Sequence, residues 1–294
     1  MKTAVAAVQT RFKKVLFATD FSDTAARAIP YIREIAKHYD ADLLTLHVRT
    51  PWAHSKHHRA GSPTDMADAQ IENDQRRQEI LAAFPGIRTK VLIEEGSIDD
   101  HLASALYTNN VDLVVLGTTG QTRNGKNRLG SVATEIFKAV TCPVLTVGPH
   151  SRSDSSAVPF RKILCATDQE CGDVVAHAAS LAHEFQSRLV LLNVITEQEA
   201  GYHVPSSDAV ASSEHFLHDL LPPGAEYACK PEYIICYGDV PEKILEIESK
   251  TNPDLIVLGA RPERGIHGAA PNLPIAAAQR IVSRATCPVL TVRG

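Results

Sequence analysis

Three glycines and a serine, at Gly117, Gly120, Gly130 and Ser131, are spaced as a backbone cradle for phosphate would need them. The pattern is Gly-x2-Gly-x9-Gly-Ser. It follows a buried-strand pattern, Val111 to Leu116, and precedes an amphipathic helix pattern from Val132 to Val140. Strand, glycine loop and helix start together let free N–H groups and the positive end of a helix dipole face an anion. Gly117 and Gly120 allow a sharp turn and close approach without a Cβ. The nine residues between Gly120 and Gly130 can arch over a polyphosphate, and they carry Arg123, Lys126 and Arg128 with no acid. An ordinary flexible connection is the competing reading, because glycines are common in loops.

Two nucleotide motifs can be set aside. Gly120 to Asn127 nearly matches a Walker A loop, but Asn127 stands where a magnesium-binding Ser or Thr is required, and the helix pattern starts later, near Gly130. The dinucleotide fingerprint G-x-G-x-x-G is absent from the first strand–helix turn, which reads Thr19-Asp20-Phe21-Ser22.

The chain that positions this loop repeats itself. Thr-Cys-Pro-Val-Leu-Thr-Val occurs at 141–147 and again at 286–292. Residues 13–20 match 161–168, 112–117 match 254–259, and Gly96-Ser97 matches Gly238-Asp239, always in the same order. With 294 residues, this predicts two domains, 1–150 and 159–294, joined by a polar, Ser-rich linker from Gly148 to Pro159. Strand and helix patterns alternate within each. The strands expected in the first half are 15–19, 42–48, 89–94, 111–116 and 143–147; in the second they are 163–167, 189–195, 233–236, 255–258 and 289–292. Such alternation predicts a doubly wound α/β sandwich, Rossmann-like, in each half. Ligands in such sheets lie beyond the carboxyl ends of the strands, at the switch in strand order. Ala25, Ala28, Ile29, Ile32, Ile35, Ala36 and Tyr39 fall on one face of the first expected helix. The two fifth strands would leave bare edges unless they packed together as a pseudo-dimer.

Composition excludes several classes. A net charge of −4 gives no general pull toward nucleic acid or anionic membrane. The charge is uneven: 18 Lys and Arg against 16 Asp and Glu in residues 1–150, and 12 against 18 in residues 151–294, so an anion prefers the first half. No apolar run reaches membrane-spanning length and no signal-peptide pattern is present, so a cytoplasmic location is expected. Six cysteines without a CxxC support neither a disulfide framework nor a zinc ribbon, and Cys142 and Cys287 read as small buried thiols.

With these residues in hand, the chain resembles the universal stress proteins in their tandem form. The resemblance runs from about Lys13 to Val292 and rests on Val-Leu-Phe-Ala-Thr-Asp (15–20), Leu46-His47-Val48, Asp112 to Gly117, the glycine loop and the repeated ending. It implies a five-stranded parallel sheet per domain and, as in some members, a bound adenine nucleotide, ATP with or without Mg2+. By position, Ala18, Asp20 and the backbone of Val48 would meet adenine and ribose. Leu116, Gly117, Gly120, Gly130, Ser131 and Val132 would meet the phosphates. Asp20 could instead cap the following helix, although Ser22 or Asp23 can do so.

The second half departs from that pattern. Proline follows Ala260-Arg261 where the second glycine would stand, and Ile275 and Ala276 match Gly130 and Ser131. Nucleotide is therefore expected in the first half, not through this motif in the second. His47, His54, His57 and His58 cluster around the long segment after the second strand, lack metal-site spacing, and that segment reads as a solvated loop. Glu94-Glu95 and Asp99-Asp100 read as a strand end and a dipole-favoured first turn. No catalytic set or metal cluster stands out. A nucleotide-binding stress-response regulator, homodimeric by the same logic that pairs its two halves, is the leading expectation; slow ATP hydrolysis or nucleotidyl transfer, and a scaffold without nucleotide, are the alternatives.

Overall fold

The computed structural model of the chain describes residues 10–49, 63–118, 133–134, 136, 140–152, 160–167, 172–197, 199–201, 204–222, 231–261 and 273–293. The first half contains β1 (Lys14–Ala18), α1 (Asp23–Ala26), α2 (Ile29–Tyr39), β2 (Asp42–Arg49), α3 (Pro63–Ala83), β3 (Thr89–Glu95), α4 (Ile98–Asn109), β4 (Leu113–Gly117) and β5 (Val144–Val147). The second half contains β6 (Lys162–Thr167), α5 (Gly172–Glu184), β7 (Arg188–Ile195), α6 (Ser207–Leu220), β8 (Glu232–Tyr237), α7 (Val240–Thr251), β9 (Leu255–Arg261), β10 (Leu273–Pro274), α8 (Ile275–Arg284) and β11 (Val289–Arg293).

The central strands are aliphatic on both faces, as a parallel sheet covered by helices on both sides requires. In β1, Val15 and Phe17 enter one core layer and Leu16 the other. Each half is a five-stranded parallel sheet, in the order β3-β2-β1-β4-β5 and β8-β7-β6-β9-β11. β5 and β11 then pair antiparallel, Leu145 opposite Leu290, so the halves share one continuous sheet. The repeated heptapeptide is thus the seam: each copy covers the other's edge, and Thr146 Oγ1 donates across it to the Val289 carbonyl at 3.0 Å.

Duplication extends to the backbone. Gly96 and Gly238 take φ of 137° and 133° before α4 and α7. Asn110 and Asn252 take φ of 50° and 49° where those helices end, a left-handed closure that Asn tolerates. Asp112 accepts the N–H groups of Lys13 and Lys14, as Asp254 accepts those of Arg161 and Lys162. Each carboxylate thereby fixes where its half's first strand begins.

One expectation needs correction. The first helix is broken: α1 stops at Ala26 and α2 restarts at Ile29. Pro30 is the physical reason, since it has no N–H to continue the ladder but is tolerated in a first turn. The start of the linker is tied to the fold. Gly148 donates to Ser151 Oγ at 3.1 Å, Ser151 is buried, and Tyr31 Oη donates to the Arg152 carbonyl at 2.7 Å.

Candidate functional site

Register brings the expected residues to one level. Ala18 pairs with Leu46 on one side and Leu116 on the other, so the last residue of β1 is level with β2 and with the end of β4 where the strand order reverses. A cavity of about 220 Å³ opens there. Ala18, Leu116 and Gly117 meet Leu46 and Val48 along its sheet side. Ile98 and Leu102 of α4 close one wall, and the helical residues Ala133 and Ile136 another. Thr19, Asp20 and Thr118 supply polar groups at its edge. The chamber is thus an apolar slot with a carboxylate at its rim.

Asp20 is exposed and accepts the Ser22 N–H at 2.9 Å. Ser22 is the cap of α1, its Oγ accepting the Ala25 N–H at 3.1 Å. Capping therefore falls to Ser22 and leaves Asp20 at the cavity. Ser22→Ala is expected to destabilise the fold by about 1 kcal/mol, the usual cost of losing a cap; thermal melting measures it, and an unchanged midpoint would contradict the assignment.

Gly117 lines the cavity, but its lack of a side chain answers a different need from the one expected. A Cβ there would lie 2.5 Å from both the Ala25 Cα and the Thr24 carbonyl oxygen. The glycine lets α1 seat against β4. Thr118 beside it is buried and bonds to the Val147 carbonyl, its N–H at 2.9 Å.

His47 lies in β2, as the strand expected over 42–48 has it, and its Nδ1 lies 2.8 Å from the Thr19 carbonyl oxygen. Its ring packs edge-on to Phe21, with centroids 4.7 Å apart, and the Arg76 guanidinium sits 4.6 Å over the Phe21 ring. Burial holds the imidazole below its ordinary pKa, against the hydrogen bond to Thr19. His54, His57 and His58 lie outside the described residues, as do Gly120, Arg123, Lys126, Gly130, Ser131 and Val132.

Sequence reasoning missed Thr19, Ala25, Leu46, Ile98, Leu102, Thr118, Ala133 and Ile136 as cavity residues. Ile98 and Ile136 are apolar positions in helical patterns, which looked like ordinary core. Only their place beyond the strand ends distinguishes them.

In the second half β10 pairs with β9 through Ala260 and Arg261 and runs directly into α8, which begins at Ile275; the matching residues of the first half lie outside the described residues. Arg280 of α8 reaches Glu242 of α7 at 2.9 Å and Asp239 at 3.2 Å. Asp168 lies outside the described residues. Among the described residues, no group of three or more His, Cys, Asp or Glu is placed to hold a metal ion, and no helix is long and apolar enough to cross a membrane. Cys142 is half-buried, and burial pushes its thiol up to about 11, so it is protonated near neutrality.

The universal stress protein family model matches the chain twice, over residues 11–148 and 159–293. Universal stress protein MJ0531 of Methanocaldococcus jannaschii is 29% identical over 139 residues, 46% of this chain and 82% of that protein. Universal stress protein YxiE of Bacillus subtilis is 29% identical over 147 residues, 46% of this chain and 99% of that protein. Among solved structures, a universal stress protein from Archaeoglobus fulgidus superimposes with a TM-score of 0.69, covering 95% of this chain and 98% of its own, at 17% identity.

Proposed function

The chain belongs to the universal stress protein family through both of its halves, and from that membership we propose that its first half binds an adenine nucleotide, ATP in the first instance, and that the chain is a nucleotide-responsive regulator. One observation carries the reading: the cavity at the switch point of the first half, with Asp20 at its rim and apolar walls from Leu46, Val48, Ile98 and Leu102. A flat, largely apolar ring suits such walls, and a carboxylate at the edge suits ribose hydroxyls. At about 220 Å³ the chamber is smaller than the roughly 300–1,000 Å³ of sites that enclose a whole drug-sized ligand. It fits a base and part of a sugar, so the phosphates would extend toward the Gly117-to-Ser131 loop. That loop offers Arg123, Lys126 and backbone N–H groups but no carboxylate, which favours holding a polyphosphate over activating water.

The second half is proposed to lack this activity, because Pro262 stands where the second glycine would and Ile275 and Ala276 stand where Gly130 and Ser131 do. A homodimer of whole chains would have to use β3, β8 or the helices, since β5 and β11 already pair within the chain.

Native mass spectrometry of the purified protein, with and without Gly130→Asp, tests the reading: wild type is expected to carry or take up one adenine nucleotide per chain and the variant none. Asp20→Asn is expected to weaken ATP about ten- to hundredfold, the value of a hydrogen bond to a charged group. Two equivalent sites per chain, or ATP affinity untouched in both variants, would refute it. Turnover with excess magnesium ATP separates a binder from an enzyme.

A further inference from the structure

We propose that His47 is a positioning residue of the first-half site: it holds, through Thr19, the turn that carries Asp20, and its protonation weakens ligand uptake. The inference rests on the reading of that cavity as a ligand site.

A backbone carbonyl can only accept, so the bond between His47 Nδ1 and the Thr19 oxygen at 2.8 Å requires the hydrogen on Nδ1. In the neutral ring Nε2 is then bare. The duplicated half shows what the bond is for. Leu46-His47-Val48 matches Leu192-Asn193-Val194, and Asn193 Nδ2 donates to the Thr167 carbonyl at 3.1 Å. Thr167 is the counterpart of Thr19. Both halves therefore use a side-chain donor on the second strand to fix the carbonyl that closes the first. One half uses a group that titrates; the other uses a group that does not.

What the bond fixes is part of the cavity. Ala18, Thr19 and Asp20 are consecutive and all line it. Thr19 also gives its N–H to the Leu46 carbonyl at 3.0 Å, and its Oγ1 accepts the Phe21 N–H at 3.0 Å. Phe21 sits at a φ of 60°, a left-handed conformation that a bulky residue adopts only when its surroundings impose it. The His47 ring and the Arg76 guanidinium both pack against the Phe21 side chain.

Protonation would put a charge into this half-buried place. The charged groups facing His47 are Arg76 from α3, which is itself bonded to Glu72, Arg49 from its own strand, which meets Glu95 at 3.5 Å, and Asp20 from the end of β1. On β3 its register partner is the uncharged Ile93. Burial and both guanidinium groups oppose the imidazolium. The hydrogen bond to the Thr19 carbonyl favours it, and among the charged groups Asp20 alone does, so a charged His47 draws on the carboxylate that the ligand needs.

The sign follows. The folded imidazole titrates below its ordinary value. As pH falls below about 6.5, the unfolded chain binds this proton first, so stability declines until the folded value is passed and then levels off. Ligand affinity declines in the same direction as the folded group becomes charged.

The second half names the test substitution. Isothermal titration with ATP and with adenosine, whose neutrality removes phosphate charge effects, is run from about pH 7.5 to about pH 5.5 on wild type, His47→Asn and His47→Ala. Wild type is expected to lose affinity for both probes severalfold toward acid. His47→Asn should bind near the wild-type level at the neutral end with that slope removed, and His47→Ala weakly throughout. A slope retained in His47→Asn, or His47→Asn as weak as His47→Ala, overturns the proposal. If wild type takes up neither probe at any pH, the nucleotide reading is what fails. The positioning role is then judged on the amide resonances of Thr19 to Ser22, which should move with the His47 titration in wild type and not in His47→Asn; no such coupling overturns it independently.

Discussion

Gly117→Ala is expected to destabilise the chain by about 1–3 kcal/mol, the usual cost of overpacking, and to reduce ATP affinity in the protein that remains folded. The effect is large because the atoms in the way are main chain. The added Cβ would meet the Ala25 Cα and the Thr24 carbonyl oxygen at 2.5 Å. No rotamer change relieves such a contact, so β4 or α1 must shift. α1 begins at the Ser22 cap, two residues after Asp20, and Ala25 lines the cavity. Moving α1 therefore moves the carboxylate and one wall together. Gly86→Ala is the control. Its φ of 77° also disfavours a side chain, but nothing lies within 4 Å of the added atom. That variant should lose about 1–2 kcal/mol of stability through backbone strain and keep wild-type affinity. Urea unfolding and ATP titration on both variants decide the matter; equal affinity in Gly117→Ala and wild type would show that α1 and the cavity are not coupled.

Gly117 also illustrates what a sequence can and cannot convey. Its spacing from Gly120 and Gly130 pointed to the carboxyl end of the first half's strands, and Ala18, Asp20, Val48, Leu116 and Gly117 line one cavity there. The reason for a glycine at that position depends on where α1 lies, and nothing in residues 111–131 encodes that. His47 fell within the expected second strand, 42–48, but was grouped with three further histidines that follow within eleven residues, so its bond to Thr19 went unread. Its match in the repeat, Asn193, was the available signal: a donor at the same place in both halves implies a common acceptor.

The seam between the halves was more legible. A strand pattern repeated word for word, at the end of each domain, leaves two like edges to be covered, and β5 and β11 cover each other. Less legible was how firmly the linker is tied to this seam. Ser151 looks like one more polar residue in a Ser-rich stretch, yet it is buried, bonding Gly148 through its hydroxyl and Arg27 through its carbonyl. Arg27 directly follows α1, so the connection between halves and the helix beside the cavity share a support.

Leu290→Ala is expected to cost about 2–5 kcal/mol, the usual loss for truncating a buried leucine. Leu290 and Leu145 are both almost fully buried and lie opposite one another at the centre of the antiparallel seam. Around them Leu113, Leu255, Phe12 and Phe160 already leave a small apolar void of about 10 Å³. Truncation enlarges a space that its rigid strand neighbours cannot collapse into, so the cost should lie in the upper part of that range. Because the two leucines share the void, Leu145→Ala and Leu290→Ala should couple by about 0.5–3 kcal/mol in a double-mutant cycle. If one core serves both halves, urea unfolding of wild type gives coincident transitions for far-UV circular dichroism and for tyrosine environment, and Leu290→Ala shifts that transition as a whole. Two separate transitions in wild type, or strictly additive losses in the cycle, would mean that each half folds for itself and the seam only joins them. The geometry favours the single transition: the Tyr31 hydroxyl, the Thr10 N–H bonded to Ser180 Oγ at 2.9 Å, and the Tyr31–Phe160 ring pair tie elements of one half to the linker or to the other half. Losing the leucine should therefore be felt at the cavity as well as at the seam.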